Sequence, residues 1–190
     1  MAESHEQTKP NTFDKSDAID TLERTIGFVR NCDNKASFFL GAFGVILAIV
    51  LTTDGINSLI AIVSTAIEQI SFCNILYLLF MVGAGVVTIF GLSNVIKVLG
   101  VTTVPEKEKG LDCDSKIFFD CIARNANYMT YKNKLYGMSD EEFMNDITSQ
   151  IYINSCICKE KYKNYKLGFA WSIVGFSAFV VLWIIGVVIF

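Results

Sequence analysis

Three long stretches of the chain carry no charged side chain, residues 36–53, 69–96 and 167–190, and polar, charge-rich segments lie before the first and between the second and third. At 1.5 Å per residue the last stretch reaches roughly 36 Å, more than the ~30 Å hydrocarbon core of a bilayer. The other two are also long enough to cross, the second with tilt. The intervening segment 54–68 is mildly apolar but short, and reads as a connector lying along the interface. The pattern predicts an all-α membrane protein with three transmembrane helices: a first span over 36–53, a second over 69–97 and a third over 167–190.

The polar segments have helical periods of their own. Residues 1–12 are polar with nothing to pack, and read as a disordered tail. From 13 to 35 an amphipathic pattern places Ile19, Leu22, Ile26 and Val29 on one face, with Asp33 next in the row. Residues 98–166 form a second polar module. Its first part, 98–114, contains Pro105 and reads as a loop, and 115–136 reads as one or two short helices anchored by Ile117, Phe118 and Ile122. A proline-free helix then starts at a capping box, Ser139 with Glu142 three residues on, and is predicted to run unbroken to Phe190. Phe143, Ile147, Ile151, Asn154, Cys158, Lys161, Tyr165 and Gly168 recur along it at spacings of three and four, which puts them on one face. The expected architecture is therefore a helical bundle continuous with the first and third spans. Within the spans, Gly41, Gly44 and Ala48 would let another helix approach closely, and the second span carries Gly83, Gly85 and Gly91.

Charge assigns the sides. All sixteen Lys and Arg fall in 1–35 and 97–166, which three spans place on one side of the membrane. Cytoplasmic segments are enriched in these residues, so this side, with the N-terminus, is predicted to be the cytoplasm and 54–68 to be extracytoplasmic. A fourth span over 56–68 would split the basic residues across the membrane. The net charge of -3 offers no footprint for nucleic acid. The six cysteines fit no zinc spacing, and read as small apolar side chains or free thiols. With one His, His5, and no phosphate-binding or hydrolase motif, no enzyme is expected and neither metal nor cofactor is called for. The acidic run Asp140, Glu141, Glu142 suits a helix start. Lys159, Lys163 and Lys166 suit anionic headgroups.

Lys161 is different because it sits in the apolar stripe, and a polar group on a buried seam is costly without a partner. Asp33 lies on its own stripe three residues before the first span, and Lys161 six before the third. Their depths differ by about 5 Å, within reach of a lysine. The two are expected to meet, directly or through Asn34 or Asn154. Lys161, Asn154, Asp33, Asn34 and Lys35 are the ligand-binding candidates.

Several short runs carry a resemblance: Asp33-Asn34-Lys35-Ala36-Ser37 opening an apolar helix, Phe118-Phe119, Ser139-Asp140-Glu141-Glu142-Phe143, Gln150-Ile151-Tyr152-Ile153-Asn154 and Lys161-Tyr162. From about residue 20 onward the chain resembles the Pycsar effector transmembrane family of bacterial anti-phage defence. The resemblance implies a non-enzymatic effector of the inner membrane, multi-pass, acting in abortive infection. Its implied messenger is a cyclic pyrimidine nucleotide, cCMP or cUMP, made by a partner nucleotidyl cyclase. Sensing would fall to the cytosolic part and impairment of the bilayer to the spans, in a homo-oligomer. Two alternatives share the layout: an effector of another nucleotide-signalling defence system, and a non-catalytic accessory subunit of a membrane complex.

Overall fold

The computed structural model describes residues 13–100 and 115–190. The expected tail and most of the expected loop 98–114 lie outside the described residues. Six helices follow in order: α1 Lys15–Val50, α2 Thr53–Glu68, α3 Phe72–Leu99, α4 Phe119–Ala123, α5 Tyr128–Tyr136 and α6 Asp140–Ile189. Among the described residues there is no strand, and α1, α3 and α6 are long and apolar enough to cross a membrane.

Local chemistry sets the ends. At the start of α6 the Glu142 carboxylate accepts from the Ser139 N–H at 2.9 Å and the Ser139 hydroxyl from the Glu142 N–H at 3.2 Å, the reciprocal pair that the sequence predicts. The α6 helix then continues for 50 residues without interruption. The first membrane helix stops at Val50, three residues short of the expected 53, because Thr52 turns the chain and its hydroxyl accepts from the Gly55 N–H to start α2. The connector over 54–68 is helical, as α2. Gln69 caps the end of α2 and Ser71 precedes α3, so the second membrane helix begins at Phe72 and extends past Lys97 to Leu99.

The chain divides into two compact units, to both of which α1 and α6 contribute residues. Unit 1 contains the described residues 13–28 and 115–157. Its α1 part buries Ala18 and Thr25; of the expected inward row, Leu22 is half-buried while Ile19 and Ile26 are exposed. The expected anchor Phe118 is likewise exposed, with Phe119 beside it, whereas Ile117 and Ile122 are half-buried. Lys15 bridges α1 to α6 through Asp140 at 2.5 Å, with both side chains well exposed, so the pair adds little.

Unit 2 contains 29–100 and 158–190 among the described residues. Here Cys32, Ala36, Phe39 and Phe43 of α1 form a buried cluster with Val95 and Val98 of α3. The α6 helix meets its two neighbours in different ways. Against α1 it sets rings at steep angles, Phe39 tilted against Phe169 and Phe43 edge-on to Phe176, each at 5.0 Å between centroids. Against α3 it brings backbone to backbone: a Cβ on Gly168 would lie 2.7 Å from the Gly91 carbonyl and the Val95 nitrogen, and one on Gly175 2.6 Å from the Thr88 nitrogen. Lipid offers no hydrophobic drive between helices, so such close dispersion contact is what holds them. The glycines singled out in sequence behave otherwise, for nothing lies within 4 Å of a Cβ at Gly41, Gly44, Gly83 or Gly85. Of the glycines named in the first two spans, only Gly91 serves the seam.

Candidate functional site

Among the described residues of unit 2, Lys161 is the buried charge, its side chain 8% exposed. It sits one turn before Tyr165 and two before Gly168 on the inward face of α6, the face whose stripe is legible in sequence. Its ammonium donates to Asp33 Oδ1 on α1 at 2.6 Å and to the Val98 carbonyl on α3 at 2.7 Å. That carbonyl is special because α3 ends at Leu99: the last four carbonyls of a helix have no partner within it, and they carry the negative end of its dipole. One ammonium thus neutralises a carboxylate and caps a helix, joining the three membrane helices at a single point. Two of its three donors are used, which is how a charge is kept tolerable off water.

The pairing is direct. Asn154, expected as a possible bridge, belongs to unit 1 and donates its amide to the Gln150 carbonyl of its own helix at 2.8 Å. Asn34 and Lys35 follow Asp33 on α1 and are both exposed. Asp33 itself is 37% exposed, so water reaches the carboxylate but hardly the ammonium. Lys159, Lys163 and Lys166 are exposed, as their helix face requires. The Val98 acceptor has no sequence signature, since every residue carries a carbonyl.

Unit 1 holds polar groups of another kind. Asp146 is 0% exposed, and its Oδ2 accepts from the Lys116 N–H at 2.7 Å. Ser115, also buried, accepts the N–H groups of Ile117 and Phe118 at 3.3 and 3.0 Å and so shapes the turn into α4. Neither was marked from sequence. The Glu142 carboxyl is held below its usual range, first by the Ser139 N–H and then by Lys116 nearby. Among the described residues no group of His, Cys, Asp and Glu is arranged to hold a metal ion.

Comparison with known proteins gives a consistent result. A family model described as the Pycsar effector protein domain matches residues 17–190. The chain is 30% identical over 178 residues to the Pycsar effector protein GmPycTM of Gulbenkiania mobilis, covering 88% of this chain and 90% of that one. It is 26% identical over 168 residues to the Pycsar effector protein EcPycTM of Escherichia coli, covering 86% and 85%. No solved structure matches.

Proposed function

The chain belongs to the Pycsar effector protein family, membrane effectors of anti-phage defence, and from that premise we propose that a cyclic pyrimidine nucleotide, cCMP or cUMP, binds its cytosolic unit and releases a lock between its spans. The lock is Lys161 with Asp33 and the Val98 carbonyl, and this three-way contact is the observation that carries the reading. While it holds, α1, α3 and α6 are tied at one end. When it opens, a charged lysine, a carboxylate and a bare helix end all demand water at the membrane boundary, and the packing of the spans has to change.

In this reading unit 1 and the N-terminus lie in the cytoplasm of an inner-membrane protein, because every Lys and Arg falls on that side. No catalysis is involved: a cyclase makes the messenger, and the effector, as a homo-oligomer, converts its binding into loss of membrane integrity. Lys161 and Asp33 enter as the lock rather than as ligand contacts, since each already has the other. Asn34 and Lys35 flank it, exposed, where they can hydrate the opened pair, and Asn154 stays a helix residue of the sensing unit.

The test is leakage from liposomes holding the purified protein, loaded with a fluorescent dye. Micromolar cCMP or cUMP is expected to release dye from wild type, and Asp33→Ala liposomes are expected to leak without messenger. Intact liposomes with both nucleotides, from protein shown to be folded and inserted, would refute the reading.

A further inference from the structure

Unit 1 has an unusual interior. Among its described residues the buried apolar side chains are Ala18 and Ile147, whereas the buried polar ones are Thr25, Ser115, Asp146, Ser149 and Gln150. A core selected only for stability has the opposite balance, because each buried polar group must recover the hydrogen bonds it gives up to water. Asp146 recovers half. Its Oδ2 is held by the Lys116 N–H, but Oδ1 is buried with no hydrogen-bond partner. A buried carboxylate oxygen in that condition calls for a partner of its own.

The surroundings fix this oxygen in place. Lys116 is held at both backbone groups, since its N–H donates to Asp146 and its carbonyl accepts from the Tyr131 hydroxyl at 3.2 Å. Ser115 locks the turn on the next two N–H groups. The Lys116 side chain is mostly buried, and its ammonium stands 3.6 Å from the exposed Glu142 carboxylate, a loose pairing that leaves it able to take a second anion. The fixed acceptor on α6 and the cation are therefore joined through the Lys116 backbone, thirty residues apart in sequence.

We propose that Asp146 and Lys116 form a ligand subsite in unit 1, in which Asp146 Oδ1 accepts from a neutral donor on the ligand while the Lys116 ammonium takes the ligand's anionic group. The polarity is imposed by charge: a carboxylate repels a phosphate, so the phosphate faces Lys116 and a sugar hydroxyl or base N–H faces Asp146. A cyclic pyrimidine nucleotide carries a single phosphate anion and both kinds of donor, and the subsite rests on the messenger reading above for that identification. Within it Asp146 selects for the donor, because a ligand lacking one leaves a buried carboxylate oxygen unmatched.

The experiment is calorimetric titration of the full-length protein in detergent micelles with cCMP, cUMP, 2′-deoxy-cCMP and N4,N4-dimethyl-cCMP. Asp146→Asn keeps the shape and can still accept from the Lys116 N–H, but it turns an amide donor toward the ligand's donor. It is expected to weaken binding about 10- to 100-fold, the usual range for a hydrogen bond to a charged group. On wild type, one of the two analogues loses a similar factor and so names the donor, and that analogue binds Asp146→Asn no worse than cCMP does. Lys116→Met is expected to weaken all four ligands alike. A folded Asp146→Asn that binds within twofold of wild type overturns the subsite and leaves the messenger reading standing. Should the variant not fold, wild type that binds both analogues as tightly as cCMP overturns it instead. Wild type that binds none of the four overturns the messenger reading, and the subsite with it.

Discussion

Cutting the lock from its two ends should have unequal effects, and the structure gives the sign. Asp33→Ala leaves the Lys161 ammonium 8% exposed with only the Val98 carbonyl for company. Breaking a buried pair in this way costs about 3 to 5 kcal/mol, and the surviving carbonyl argues for the lower end, about 3 kcal/mol. Lys161→Met keeps the aliphatic stem and strands Asp33, which at 37% exposure rehydrates without rearrangement. What remains is the uncapped Val98 carbonyl, about 1 to 2 kcal/mol. Reversible unfolding of both variants and the double variant in mixed micelles would measure the three differences. The double variant is expected to cost less than the sum of the singles by about 1 to 2 kcal/mol, as for any residues in direct contact. A Lys161→Met cost equal to or above that of Asp33→Ala would refute the exposure argument, and strict additivity would refute the pair.

Two further outcomes follow from the packing and the cap. Gly168→Ala and Gly91→Ala push a Cβ into backbone atoms that cannot step aside, and should destabilise by about 1 to 3 kcal/mol. Gly41→Ala and Gly83→Ala meet no atom of their own chain and should leave the folded chain unchanged or stabilise it by up to about 1 kcal/mol, so thermal melts showing equal losses at all four positions would contradict the α3–α6 seam. The Glu142 carboxyl, held low by Ser139 and Lys116, contributes to the start of α6 above its unfolded pKa, and the contribution is lost as pH falls through the lower folded value. Amide protection factors over residues 139–145, taken relative to the intrinsic exchange rate at each pH, should fall on acidification, and Glu142→Gln should remove that dependence. A fall of equal size in the glutamine variant would exclude the cap as its cause.

What was legible in sequence follows from which residues announce their surroundings. The α6 stripe was readable because its members are conspicuous: a lysine among aliphatics, and glycine at the required interval. The α1 face was read correctly only in part: Leu22 and Val29 are half-buried and Asp33 reaches Lys161, but Ile19 and Ile26 are not inward. Ile19 and Ile26 are the most apolar side chains there, yet the helix turns Ala18 and Thr25 inward in unit 1 and Cys32 and Ala36 in unit 2. Apolar patterning rewards size, whereas closely packed helices select for smallness, and the two criteria name adjacent positions. The same ambiguity explains the glycines, since nothing in the sequence separates Gly83 and Gly85, which meet nothing, from Gly91, which lies against Ser172. Asp146 was missed because an acid early in a charged helix reads as a solvated residue. Its burial depends on the turn at Ser115 and Lys116, thirty residues away in sequence, and no local pattern reports that.

The energetics of the lock bear on how many chains must act together. A contact that contributes about 3 kcal/mol shifts an equilibrium by about two orders of magnitude. Moving a population from 1:99 to 99:1 takes about 5.5 kcal/mol of difference between the two arrangements. One lock released in one chain is therefore too little to hold a membrane intact in its absence of signal and breach it when signalled, if the lock is the whole difference. Two chains switching as a unit would reach about 6 kcal/mol, so the single-lock figure by itself calls for at least a dimer. Open small-residue rows at Gly41 and Gly44 on α1 and at Gly83 and Gly85 on α3 leave room for helices of other copies to approach. The consequence is measurable as steepness: dye release from liposomes should rise with messenger concentration with a Hill coefficient near 2 or above. A hyperbolic response with full closure at rest would mean that each chain switches alone, and that contacts beyond Lys161, Asp33 and Val98 supply the missing free energy.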